Sequence, residues 1–202
     1  MIKILKTHIT KIIILTFTFS ILFSSVHLSA ECKEISNEVL RLHILANSDS
    51  KDDQNLKLKL RDYLLKDTSN IFKGSNSKED SIRLVKENLK KIENKAQEFI
   101  YNQGYIYDVS VEMEKIYFNT RIYDDFAMPP GEYDALRVII GSGKGHNWWC
   151  VMYPPVCLPS AESHEKLDEV LDDTQIEIVE NEPKYEIKFK IFEIFDSIEN
   201  LF

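Results

Sequence analysis

The residues best suited to chemistry lie in one segment, HNWWCVMYPPVC, at positions 146–157. His146 stands four residues before Cys150, and a nearby imidazole can lower the pKa of a thiol and make it a nucleophile. A second cysteine, Cys157, follows a Pro-Pro pair, so the two thiols could instead form a disulfide. The compartment decides between these possibilities, because thiols oxidise in exported proteins and stay reduced in the cytosol.

The N-terminus predicts export. Three lysines and no acidic residue precede the apolar run IIILTFTFSILF at 12–23, and small and polar residues follow up to Ala30. This order is typical of a secretory signal. The run is short for a membrane span of ~20 residues, so we expect cleavage after Ala30, with an uncleaved anchor as the alternative. Residues 1–30 are therefore interpreted as a signal peptide or N-terminal anchor, and the protein as secreted.

Export and charge together exclude several classes of function. In an exported chain we favour a Cys150–Cys157 disulfide over a catalytic thiol. The formal net charge of −8 becomes −11 once the three leader lysines are removed, which argues against nucleic-acid binding. Five histidines without a Cys-x-x-Cys pair give little support to a zinc site, so we expect no metal and no cofactor.

Three other polar groups have a structural explanation that we prefer. GSGKGH at 141–146 lacks the P-loop spacing and is typical of a turn between strands. Asp49, Asp52 and Asp53 could bind calcium, but the segment lacks the loop glycine and the distal glutamate, and these acids suit the first turn of a helix. His43 lies inside an apolar strand, where a hydrogen-bonded structural histidine is more common than a base.

Hydrophobic periodicity predicts an α+β domain over residues 31–160. Four segments, near Leu42, Val109, Leu136 and Trp149, have the apolar runs or the alternation of strands. Two amphipathic helices are also predicted. One begins at a Ser50–Asp53 capping box and ends near Asp67, and the other covers 82–100 and ends at Gly104. We expect a mainly antiparallel sheet with both helices packed on one face.

The C-terminal part is predicted to leave this domain. Residues 161–186 contain ten acidic residues against two lysines, which is typical of a solvated linker. Residues 187–202 form an amphipathic segment whose periodicity fits either a strand passing into a helix or a single helix.

Trp148 and Trp149 are the candidates for a binding surface. Neighbouring side chains of a strand point to opposite faces, so we expect one indole in the core and the other exposed as an anchor for a partner. The alternative is burial of both between the sheet and two further layers. His146, Gly143 and Gly145 would form the rim of the surface.

Two blocks, RLHILANSDSKDDQNLKLKLRDYLL at 41–65 and PPGEYDALRVIIGSGKGHNWWCVMYPPVC at 129–157, closely resemble the stage II sporulation protein R family of endospore-forming bacteria. The resemblance implies a signalling protein rather than an enzyme. Members of this family pass from the forespore into the space between the two cells and activate a membrane-embedded aspartic protease of the mother cell. That protease processes the precursor of the early mother-cell sigma factor. Residues within the motif by match are Asp49, Gly131, Tyr133, His146, Trp148, Trp149 and Cys150.

The resemblance also implies the partner. The partner would be this protease, with transient proximity to a membrane, and there would be no small-molecule substrate and no catalytic residue. The candidate partner-binding residues are Trp148, Trp149, His146, Gly143 and Gly145. A second hypothesis is an exported thiol or metal-dependent cell-envelope hydrolase using His43, His146 and Cys150.

Overall fold

A computed structural model describes residues 2–71, 75, 77–123, 126–155, 167–180, 185, 188–190 and 193. The helices are α1 (Ile2–Glu38), α2 (Lys51–Ile71), α3 (Lys78–Asn102) and α4 (Asp173–Glu180). The strands are β1 (Leu40–Leu45), β2 (Val109–Phe118), β3 (Arg121–Ile122), β4 (Ala127–Met128), β5 (Gly131–Ile140) and β6 (Asn147–Tyr153). Helices and a mainly antiparallel sheet confirm the predicted α+β class.

The central sheet has four strands in the order β2-β5-β1-β6. β1 lies parallel to β5, and the pairs β1–β6 and β2–β5 are antiparallel. All four predicted strands are present, and β6 ends at Tyr153, before the two prolines. The register places Leu42 of β1 between Leu136 of β5 and Cys150 of β6, so one apolar row crosses the middle of the sheet.

Helices α2 and α3 cover the first face of the sheet, as predicted. Leu56, Leu60 and Leu64 of α2 are buried there, because their spacing puts them on one side of the helix. The hydroxyl of Ser77 accepts from the amide of Asp80 at the start of α3. At its end Gly104 has φ +84°, and the amide of Tyr105 donates to the carbonyl of Ile100, which completes a Schellman motif.

The second face of the sheet is covered as well. The last turns of α1 contribute Cys32 and Ile35, and Val39 follows the helix; all three are buried, and the β3–β4 hairpin contributes Phe126 and Met128. Behind them lie Leu167, Leu171, Ile178 and Val179 at and before α4. The described part of the acidic segment is therefore not a solvated linker. Its apolar residues recur at helical spacing, so one side packs while the acids face water.

The leader is part of a longer helix. Residues 11–20 of α1 are exposed, whereas Cys32, Ile35 and Ser36 near its end are buried beside the second face. Among the described residues, none of the helices combines the length and apolarity needed to cross a membrane. The change from exposed to packed side chains occurs beside the predicted cleavage position, Ala30.

A buried arginine joins three of these elements. Arg41 of β1 is fully buried, and its Nε donates to the carbonyl oxygen of Cys150 at 3.0 Å. Its Nη2 donates to the hydroxyl of Tyr123 at 2.7 Å. The guanidinium also lies over the rings of Phe118 and Tyr133, at 4.6 and 5.0 Å from their centroids. Aromatic faces stabilise a buried cation, so Arg41 ties β1 and β6 to the hairpin.

Burial of His43 predicts a pH-dependent stability. Burial, followed by the charge of Arg137, lowers the pKa of His43 from 6.5 to about 4. The unfolded chain then binds more protons than the folded chain between these values, so stability should fall as pH is lowered from 6.5 towards 4. Thermal melts should show a smaller decrease of Tm over this range for His43→Phe than for the unchanged protein. Equal decreases would contradict this assignment.

Candidate functional site

The parallel pairing of β1 with β5 brings the two motif blocks together at one end of the sheet. Strands that run in the same direction leave a sheet at the same end. The segment 46–50, which follows β1, therefore lies against the segment 141–146, which follows β5. We call these two segments the two-loop site.

One backbone and two side-chain hydrogen bonds hold the two loops together. The amide of Gly145 donates to the carbonyl oxygen of Ala46 at 2.9 Å. The amide of Ser142 donates to Asn47 Oδ1 at 3.0 Å, and its hydroxyl donates to the Asn47 carbonyl at 2.6 Å. These three hydrogen bonds join loops that lie almost a hundred residues apart in the sequence, so the loops form one structural unit.

His146 and Asp49 form the exposed tip of the site. The amide of His146 donates to Asp49 Oδ1 at 2.6 Å, and the ring Nδ1 lies 2.5 Å from the same oxygen. These hydrogen bonds lower the pKa of Asp49. The side chains remain 80% and 56% exposed. The carboxylate thus orients an imidazole that stays accessible from solvent.

The first two turns of α2 support the tip. Lys57 is nearly buried, and its Nζ donates to the carbonyl oxygen of His146 at 2.8 Å and to Gln54 Oε1 at 2.6 Å. The Gln54 side-chain amide donates in turn to the carbonyl of Ser48 at 2.9 Å. One lysine and one glutamine therefore fix both loops to the helix.

The predicted capping box is only half present. The amide of Asp53 donates to Ser50 Oγ at 3.1 Å, as expected for the cap. The Asp53 carboxylate does not return to Ser50. It accepts from Asn47 Nδ2 at 2.9 Å and from Ser48 Oγ at 2.5 Å. Burial opposes ionisation of Asp53, but these hydrogen bonds outweigh it and lower its pKa. The Asp53 carboxylate therefore stabilises the 46–50 loop, because Asn47 and Ser48 each donate a hydrogen bond to it.

Two glycines occupy tightly packed positions in the site, Gly143 against its own strand β5 and Gly145 against the facing 46–50 segment. Gly143 has φ +62°, and a Cβ there would lie 2.8 Å from Ile139 Cγ2. At Gly145 a Cβ would overlap the backbone carbonyl of Ser48, which cannot move without breaking the loop contacts. Both glycines were predicted to shape the rim of a binding surface, and the structure places them inside the two-loop site.

The tryptophans lie on opposite faces, as alternation predicts. Trp148 points to the helical face, where the guanidinium of Arg61 lies 4.3 Å from its ring centroid. Trp149 points to the second face and stacks on His43 with centroids 3.8 Å apart. Arg121 lies 4.7 Å from the Trp149 ring. Both indoles are partly buried, so the expectation that one is exposed is wrong, because each face has a covering layer.

The alternative of a catalytic thiol at Cys150 is not supported by its surroundings. Its side chain is fully buried in the core of the helical face, whereas His146 is directed to Asp49 at the tip of the loop. His43 lies on the opposite face of the sheet, against Trp149. Cys157 lies outside the described residues, so its disulfide with Cys150 stays a prediction.

Sequence reasoning missed the residues that support the site from other elements. Hydrophobic periodicity predicts helix α2 but assigns no role to Gln54, Lys57 and Arg61, which lie on one side of it. Their spacing of three and four residues along that side is a usable signal, because such residues share one face. Arg41 and Arg121 carried no signal, since nothing in an apolar strand or a loop indicates which ring an arginine will meet.

The close approach at Gly145 predicts a specific defect. Gly145→Ala should lower the free energy of unfolding by about 1–3 kcal/mol, because the added methyl group is forced against the Ser48 carbonyl. Lys144→Ala, at the exposed neighbouring position, should leave it nearly unchanged. Denaturant melts of the two variants test this expectation, and equal stabilities would contradict the close contact between the loops.

Comparison with known proteins shows which family this chain resembles. Residues 36–163 match the family described as stage II sporulation protein R. Stage II sporulation protein R of Bacillus subtilis (strain 168) is 38% identical over 138 residues, which cover 68% of this chain and 62% of that protein. The chain therefore spans less than two thirds of that relative's length. No solved structure matches.

The matched region contains the whole central sheet, helices α2 and α3, and both segments of the two-loop site. The family match thus covers most of the chain and includes the residues whose geometry is described above. The chain belongs to the stage II sporulation protein R family.

Proposed function

We propose that this protein is a secreted signal that activates a membrane-embedded aspartic protease, which then processes the precursor of the early mother-cell sigma factor. Membership of the family supports this proposal most directly, since the match covers both motif blocks. The N-terminal sequence supports export into the space between the forespore and mother-cell membranes. We infer that the protein binds its partner and does not act as an enzyme.

The two-loop site is the surface that we assign to the partner. It combines a rigid backbone with an exposed and oriented imidazole, and a fixed surface loses little entropy on binding. His146 is the most accessible of the five candidate residues. Gly143 and Gly145 contribute by shaping the backbone, and Trp148 supports the site from the helical face.

The geometry gives less support to an exported thiol or metal-dependent hydrolase. A nucleophilic thiol must reach its substrate, but Cys150 is fully buried. A general base works best with a pKa near the operating pH, but the pKa of His43 is lowered to about 4 by burial. No group of three or more His, Cys, Asp or Glu side chains within the described part of the chain is placed to hold a metal ion.

Addition of the purified protein tests the proposal directly. Residues 31–202, supplied outside cells that contain the protease and the sigma precursor but lack their own signal, should trigger precursor cleavage. Cells without the protease form the control and should show none. Absence of cleavage with a folded protein, or cleavage in the control cells, would contradict protease activation.

Substitutions should separate contact from stability. His146→Ala should keep the fold, because the side chain is exposed, and should reduce precursor cleavage about tenfold, as expected for the loss of roughly 1.4 kcal/mol of binding. Trp149→Ala should instead lower the free energy of unfolding by about 3–5 kcal/mol, since it removes a ring packed against His43 and Phe118. Melts and the cleavage assay on both variants distinguish the two roles. Full activity of His146→Ala would contradict the assignment of the partner contact to the two-loop site.

The two cysteines should behave alike if they are bridged. Cys150→Ser and Cys157→Ser should then impair the protein about equally, because either change leaves the same loop open. Titration of thiols in the unfolded, unreduced protein should detect Cys32 alone. Full activity of Cys157→Ser beside an inactive Cys150→Ser would contradict the disulfide and favour a thiol enzyme.

A further inference from the structure

The described residues of the C-terminal segment pack on the family core although they lie beyond the matched region. The match ends at residue 163, and the described residues after it include Phe189, which is fully buried. Tyr185, residues 188–190 and Glu193 are helical. The contacts of these residues therefore indicate which side chains can pack on the second face of the sheet.

Glu193 makes the most specific contact of this segment. Its Oε1 accepts from the backbone amide of Thr120 at 2.6 Å, and its side chain is only 17% exposed. Thr120 and Arg121 form the corner between β2 and the β3–β4 hairpin. A carboxylate is thus held at a backbone donor, in a largely dry environment, next to an arginine.

The corner offers more donors than are used. Thr120 is 9% exposed, and its Oγ1 has no hydrogen-bond partner among the described residues. The same holds for Arg121 Nε and for Nη1 of the fully buried Arg41. Burial lowers the pKa of Arg121, and the neighbouring charge of Arg41 adds to this effect. Two guanidinium groups that interact electrostatically and have spare donors favour a bound anion.

We propose that the Thr120–Arg121 corner, with Arg41 behind it, is a binding site for the carboxylate of an acidic helical segment. Glu193 of the chain itself occupies the site in this structure. A partner segment would compete with this intramolecular contact, whose effective concentration is on the order of millimolar. The site is separate from the two-loop site and does not depend on the proposed function.

The chain's own segment defines the chemistry of the ligand. Phe189 and Glu193 are helical residues that stand four positions apart in the sequence. The aromatic ring enters the apolar layer over the second face, and the carboxylate reaches the corner. A partner for this site should therefore present an aromatic residue and an acid at the same spacing.

A peptide with the sequence of residues 185–202, labelled with fluorescein, tests this site on the full chain. The peptide should bind Glu193→Gln about tenfold more tightly than the unchanged protein, because the substitution weakens the internal competitor. The same peptide with glutamine at the position of Glu193 should bind about tenfold more weakly to that variant. Asp168→Asn, an exposed change in the same segment, should behave like the unchanged protein.

Hydrogen exchange provides a readout that does not depend on the peptide. Protection of the Thr120 amide should fall in Glu193→Gln and stay unchanged in Asp168→Asn, since only Glu193 accepts from that amide. Equal exchange in both variants would overturn the proposal. Absence of peptide binding would also overturn the proposal. So would binding that is unchanged by the glutamate-to-glutamine substitution, either in the protein or in the peptide. The contact would then be a feature of this chain's packing alone.

Discussion

The parallel pairing of β1 with β5 is the constraint on which the rest of the structure depends. It places β1 in the interior of the sheet, with both of its edges paired and both of its faces covered. It also sends the ends of β1 and β5 to the same edge, where Asp49 meets His146. A slip by one residue would turn Leu42 and Ile44 away from the helices, so the packing of the core and the geometry of the site are set together.

The second face shows how the same strand contributes to a different environment. Arg41 and His43 alternate with Leu42 and Ile44, and they lie among Phe118, Tyr133 and Trp149. A buried cation is costly unless it is compensated. Two hydrogen bonds and the aromatic faces provide this compensation for Arg41, and they bind the β3–β4 hairpin to the sheet. The helical face is ordinary apolar packing, whereas the second face depends on polar and aromatic contacts.

The two regions proposed for binding differ in physical character. The two-loop site is exposed and rigid, and its donors and acceptors are largely used within the loops. The corner at Thr120 is enclosed and keeps unused donors beside a bound carboxylate. A preformed exposed surface suits a transient encounter, because little reorganisation is required on binding. The corner suits a ligand that must first displace the C-terminal segment.

Local pattern by itself determined the four core strands, the two amphipathic helices, the glycine at the end of α3 and the α+β class, since these depend on hydrophobic periodicity and on caps. The motif blocks also identified the family. Only the tertiary structure decided that Asp53 serves the loop rather than its own cap, that both tryptophans are partly covered, and that the acidic segment packs. These features depend on contacts between residues far apart in the chain. Charge density predicts solvation, but it does not reveal that one side of an acidic helix is apolar and meets a sheet.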